Sequence, residues 1–168
     1  MYSIVKDISI LSILSILPNK KFSYPSKTEK IKRIKNVIGV ESSYKCNENL
    51  TTTDLFNQAA NKILKKNNID KNKIKTVICV TQTPDYLMPS CSNIIHQNLK
   101  LSEDCAVFDI NLGCSGYVYG LWVNMNILSN LKTGYGLLLV GDTISKVVKK
   151  NDISNQLLFG DGVSATLL

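Results

Sequence analysis

The chain is predicted to fold as an α/β domain with a mainly parallel sheet covered by helices on both faces. Three observations carry the prediction. Strand-like apolar runs alternate with helix-like segments through most of the 168 residues. A central run, Lys75 to Thr81 (KTVICVT), is continuously apolar, the pattern of a strand buried on both sides. Caps and breakers (Gly39, Thr51, Pro89 and Gly134) fall between the segments. A chain of this length makes one domain with a full core.

Ile4 to Leu17 reads as one buried strand stopped by Pro18-Asn19. Its apolar run, Ile8 to Leu17, is too short to span a bilayer as a helix, and with no small-residue cleavage site before Pro18 it reads as a buried strand rather than a signal peptide. Pro25 to Val37 carries a weak helical pattern that Gly39 ends. Val40 to Tyr44 is a short extended piece. Thr51 is the N-cap of the clearest helix, with Asp54 in its first turn. Leu55, Phe56, Ala59, Ala60, Ile63 and Leu64 form its apolar face. After the strand at Lys75 come a loop at Gln82 to Pro89, a helix at Ser90 to Leu99 and a strand at Cys105 to Ile110. A strongly apolar helix runs from about Ser115 to Asn130. Tyr135 to Val140 is the next strand, Ser145 to Gln156 a lysine-bearing loop, and Val163 to Leu168 a final strand.

The net charge of +7 comes from 20 Lys+Arg against 13 Asp+Glu. The basic residues scatter over Lys20–Lys35, Lys62–Lys75 and Lys146–Lys150 without an aromatic-interleaved stripe, which argues against a nucleic-acid binder. They read as solvated faces, or else as a surface for an acidic partner or a phosphate-bearing substrate. The 5 cysteines are odd in number, lack CxxC spacing and stand beside a single histidine. A zinc cluster is therefore not expected, and a reducing, cytoplasmic setting is.

The stretch Phe108 to Leu121 is where the chemistry concentrates. A strand pattern runs into Gly113-Cys114-Ser115-Gly116, then into the apolar helix, placing Cys114 at a helix N-terminus. Unpaired N–H groups and the helix dipole favour an anion there. Small neighbours (Gly113, Ser115, Gly116) leave room for a substrate at the sulfur. Cys114 is thus a candidate nucleophile that accepts an acyl group; a packed helix-start cysteine is the plain alternative. The lone His96, on the helix after Pro89, is more readily a packed or solvated histidine than a catalytic base.

Asp109-Ile-Asn-Leu-Gly-Cys114-Ser-Gly-Tyr-Val-Tyr-Gly-Leu121 resembles the nucleophile segment of β-ketoacyl-acyl carrier protein synthase III, in the thiolase superfamily. Ile38-Gly39-Val40-Glu41, Pro89-Ser90 with the helix after it, and Leu157 to Leu168 (LLFGDGVSATLL) resemble further segments in family order. The resemblance implies a thiolase-like fold with a five-stranded mixed sheet. It also implies that residues 1–168 are the N-terminal half of a pseudo-duplicated enzyme, the C-terminal half being absent.

By the same resemblance Cys114 takes an acyl group from acyl-CoA or an acyl carrier protein. The acyl-enzyme then condenses with a carbanion from malonyl-carrier protein, as in fatty-acid or related acyl-chain synthesis. The decarboxylating His and Asn fall in the other half, so this length alone is expected to be inactive. No cofactor and no metal are implied. The partners implied are the carrier protein and a second copy of the chain, the dimer pairing through the strand at Cys105 to Ile110. The resemblance places Met88 in the acyl pocket across that interface, with Gly113 and Ser115 beside the substrate. Arg33 and Ser154 stand where the family's CoA-gripping tryptophan and arginine fall, which argues against a standard acetyl-CoA primer. Trp122 reads as core, and Asp161, between two glycines, is explained by turn geometry as well as by function. A non-catalytic acyl or carrier-protein binding or dimerisation module of the same fold is the alternative.

Overall fold

The computed structural model describes residues 4–23 and 28–168. The strands are β1 (Ser12–Ile16), β2 (Lys20–Ser23), β3 (Ser42–Lys45), β4 (Ile74–Val80), β5 (Ala106–Ile110), β6 (Tyr135–Asp142) and β7 (Gly162–Leu167). The helices are α1 (Glu29–Ile38), α2 (Thr52–Lys66), α3 (Cys91–Leu99), α4 (Gly116–Leu128) and α5 (Ile153–Leu158). Five strands form one sheet in the order β1-β7-β6-β4-β5. β6, β4 and β5 run parallel, while β7 and β1 join antiparallel. The expected five-stranded mixed sheet with helices on both faces is therefore present.

One face is covered by α2, which packs on β7, β1 and β6, and by α3, which packs on α2, β4 and β5. Thr51 caps α2 by accepting the Asp54 N–H at 3.1 Å, and the Asp54 carboxylate accepts the Thr51 N–H at 3.0 Å. This reciprocal box fixes the start of the helix. The apolar face read from the sequence is buried as expected, with Phe56, Ala59 and Ile63 fully enclosed against Val77, Cys79, Leu137 and Leu139.

The other face carries α4, against β4 and β6. α4 is apolar all round but buries only the stripe Gly116, Gly120, Asn124 and Leu128. The glycines permit this close approach. A Cβ on Gly116 would lie 2.5 Å from Val80 Cγ1, and one on Gly120 would lie 2.7 Å from Leu138 Cδ1. Trp122, read as core, instead lies on the outward side of α4 and is 38% exposed.

Two other expectations are corrected. The strand expected over Ile4 to Leu17 is confined to Ser12–Ile16. β1 pairs only with β7, and that partner offers only the five residues Val163 to Leu167 to the pairing. The chain then turns at Pro18, and β2 forms a separate hairpin ladder with β3. The loop expected over Ser145 to Gln156 contains most of α5, started by Asp152, whose carboxylate accepts the Asn155 N–H at 3.1 Å. α1 begins at Glu29 behind a Thr28 cap; the helix start read at Pro25 lies outside the described residues.

Candidate active site at the switch point of the sheet

β4 and β5 are parallel neighbours, but the chain leaves them in opposite directions. After β4 it joins α3 on the α2 face; after β5 it joins α4 on the other. Loops that diverge in this way open a crevice at the carboxyl ends of the strands, where ligands of open α/β sheets bind.

The Gly113–Cys114 turn forms one side of that crevice, with Gly113 against the Gln82 side chain, and Cys114 is exposed. The Gly116 N–H donates to the Gly113 carbonyl at 2.8 Å and closes the turn around it. Ser115 is the N-cap of α4 but makes no side-chain cap bond. Among the described residues no side chain accepts the first-turn N–H groups of α4, and the positive end of the helix adjoins Cys114. Gly113, Cys114 and Ser115 share one turn, as the sequence suggests. Gly116, read as leaving room for substrate, instead makes room for Val80.

The opposite wall is the loop after β4, and Asp142 at the end of β6 fixes it. One carboxylate oxygen of Asp142 accepts the Gln82 N–H at 2.7 Å, the Thr83 N–H at 3.1 Å, the Thr81 hydroxyl at 2.7 Å and the Thr83 hydroxyl at 3.0 Å. Thr52 Oγ1 lies 3.0 Å from Thr83 Oγ1 and 2.9 Å from Thr143 Oγ1, so the start of α2 is tied in as well. A cavity of about 410 Å³ opens among Gln82, Thr83, Tyr86, Thr143 and Val147. Asp109, at the end of β5, accepts the Cys91 and Ser92 N–H groups at 2.8 and 2.9 Å and so seats the start of α3. Sequence reading missed Asp142 and Gln82. A carboxylate at the end of a central strand, facing two threonines, was the available signal.

Met88 lies farther along the same loop, before a cis Met88–Pro89 bond, and is 86% exposed together with Tyr86 and Leu87. His96 is at the far end of α3, its Nε2 3.0 Å from the Ser102 carbonyl. Arg33 on α1 and Ser154 on α5 are both exposed, on helices packed against each other.

The other cysteines are poor nucleophiles. Burial pushes the Cys79 and Cys91 thiols up, Cys105 to about 11, and Cys46 to about 12 with help from nearby Asp161. Asp161 is itself buried, accepting the Cys46 N–H at 2.7 Å, the Ser145 N–H at 2.8 Å and the Ser145 hydroxyl at 2.6 Å. It ties three segments together, which a turn residue alone would not do. Among the described residues no cluster of metal-ligating side chains occurs, and no helix is long and apolar enough to cross a membrane.

A parallel core with antiparallel additions and a cysteine at its switch point defines a thiolase-like fold, and solved structures of that class superpose closely. A 3-oxoacyl-(acyl-carrier protein) synthase from Burkholderia xenovorans LB400 matches with a TM-score of 0.90 and 33% identity, covering 94% of this chain and 47% of that one. The family described as 3-oxoacyl-[acyl-carrier-protein (ACP)] synthase III matches residues 108–168, the segment that contains Cys114. A putative 3-oxoacyl-[acyl-carrier-protein] synthase 3 of Campylobacter jejuni is 44% identical over 149 residues, 88% of this chain and 41% of that protein. A β-ketoacyl-[acyl-carrier-protein] synthase III of Neisseria meningitidis is 30% identical over 158 residues, 92% of this chain and 49% of that protein. The chain is thus a relative of the β-ketoacyl-acyl carrier protein synthase III proteins, as its Cys114 segment suggests, and it spans about half the length of the curated relatives it matches.

Proposed function

We propose that Cys114 is the acyl acceptor of a β-ketoacyl synthase III-like condensing enzyme. The observation that carries this reading is the exposed sulfur at the start of α4, in the switch-point crevice and inside the matched segment. The Cys114 thiolate attacks the carbonyl carbon of an acyl thioester. The acyl-Sγ bond forms, the bond to the carrier thiol breaks, and the departing thiolate takes a proton from solvent. The donor is acyl-CoA or acyl-carrier protein, and malonyl-carrier protein supplies the second substrate.

Decarboxylation needs groups to hold the enolate, and His96 is tied to Ser102 instead. On this reading the 168 residues alone take an acyl group but do not complete condensation. Met88, on its exposed loop, reaches the acyl pocket of a second protomer in a homodimer built on the free edge of β5.

The test is incubation with acyl-CoA and with acyl-carrier protein, followed by intact-mass and peptide mapping. A single acyl adduct on Cys114, lost in Cys114→Ala, is expected. Equal labelling of Cys114→Ala overturns the reading. Stoichiometric but non-covalent binding of the acyl carrier would favour a binding module of the same fold.

A further inference from the structure

The carboxamide of Gln82 projects across the crevice toward the turn that carries Cys114. A Cβ on Gly113 would stand 2.8 Å from Gln82 Oε1, 3.2 Å from Cδ and 3.3 Å from Nε2. Residue 113 is thus a glycine at the place where the Gln82 side chain needs its space. The backbone that aims this side chain is held, because the Gln82 N–H donates to Asp142 at 2.7 Å and the Thr83 N–H follows it onto the same oxygen. The Thr81 N–H donates to the Ile110 carbonyl at 3.3 Å and couples the loop to β5, which leads directly to Cys114. The carboxamide itself is exposed and has no hydrogen-bond partner among the described residues. An amide against the turn that carries a nucleophile, mounted on a fixed backbone and with its donors unspent, is suited to a carbonyl oxygen.

We infer that Gln82 is a second polar contact of the Cys114 crevice, its Nε2–H donating to the carbonyl oxygen of the acyl group as that group is transferred to Cys114. The inference rests on the acyl-acceptor reading of Cys114. During attack the carbonyl carbon becomes tetrahedral and its oxygen gains negative charge. A donor opposite the sulfur then strengthens its bond, and the bond relaxes when the carrier thiolate leaves and the carbonyl re-forms. No group is transferred to Gln82. Its amide acts as donor throughout and keeps its protons.

Two measurements on the 168-residue chain test this. The first is the rate of Cys114 acylation by acyl-CoA, read by mass. Gln82→Ala is expected to slow it by about tenfold, the loss of one hydrogen bond to a developing charge. Gln82→Asn, with a shorter arm, is expected to fall between wild type and the alanine variant. The second is the pH dependence of Cys114 alkylation by iodoacetamide, which needs no acyl transfer. Gln82→Glu places a carboxylate against the Cys114 turn and is expected to move the half-maximal pH upward by about one unit. Failure of all acylation, with the alkylation shift intact, rejects the acyl-acceptor reading while showing that residue 82 is near enough to the sulfur to act on it. An unshifted Gln82→Glu profile together with wild-type acylation in Gln82→Ala overturns the inference.

Discussion

Asp142, the last residue of β6, takes the backbone N–H of Gln82 at 2.7 Å, so one strand of the parallel ladder holds the loop that leaves its neighbour. The same oxygen serves Thr81 and Thr83, and the loop thereby becomes a wall of the crevice rather than a free connection. Asp142→Ala would leave the Gln82 N–H without its acceptor, leave the Thr83 N–H to Thr81 Oγ1 alone, and take the shared carboxylate from both hydroxyls. We expect a loss of about 2–3 kcal/mol in urea unfolding, the desolvation cost of such half-buried donors. We also expect faster proteolysis within Gln82 to Pro89. Unchanged stability and cleavage would show that the bonds to Asp142 do not hold the loop.

The stripe of α4 makes a second claim. Gly120 sits where a Cβ would lie 2.7 Å from Leu138 Cδ1 and 2.8 Å from Val80 Cγ2, two buried side chains of adjacent strands. Gly120→Ala adds helix propensity worth up to about 1 kcal/mol, partly offsetting the crowding. Gly120→Val adds branching and volume that the flat contact cannot absorb, and should cost about 1–3 kcal/mol. Thermal melts of the two variants decide this. A valine variant as stable as wild type would mean that α4 moves off the sheet freely.

What the sequence disclosed depended on how local each signal was. The α2 cap was legible because Thr51 and Asp54 are three residues apart and meet each other. Cys114 was legible because its turn, strand and helix are contiguous. β1 was overread: its apolar run is long, but its paired length is set by β7, far away in the chain. α5 was missed because its cap pair, Asp152 and Asn155, lies in a lysine-bearing stretch with little apolar periodicity. Gln82 and Asp142 are 60 positions apart and meet only because the strand order is β6-β4-β5. The outward position of Trp122 was equally hidden, since a helix apolar on all sides does not say which side meets the sheet.

Cys46 links the Asp161 hub to pH. Burial and then the Asp161 charge push its thiol from the ordinary 9.0 up to about 12. The folded chain therefore keeps a proton that the unfolded chain releases near pH 9. Stability from this group is full below that pH and declines as pH rises towards the folded value. Cys105, pushed up to about 11 by burial, acts in the same direction. We expect Tm to fall between about pH 8 and pH 11, and to fall less steeply in Cys46→Ala. Parallel curves for the two proteins would show that the Cys46 thiol does not titrate differently on folding. At pH 8 a thiol reagent should modify Cys114, the one exposed cysteine, well before Cys46.

The outward face of α4 supports the last expectation. Val118 is 67% exposed and Tyr119 53% exposed, and both stand on a helix whose composition is that of a buried element. An apolar face next to the site leaves surface that water covers poorly. Val118→Ser and Tyr119→Ser together remove apolar surface without touching the Gly116, Gly120, Asn124 and Leu128 stripe that anchors the helix. The double variant should bind less anilinonaphthalene sulfonate, stay monodisperse to higher concentration, and melt within about 0.5 kcal/mol of wild type, as exposed substitutions do. A large loss of stability would place these side chains in the internal packing of the chain. Unchanged dye binding would move the exposed apolar surface elsewhere, with the Tyr86-Leu87-Met88 tip the next segment to substitute.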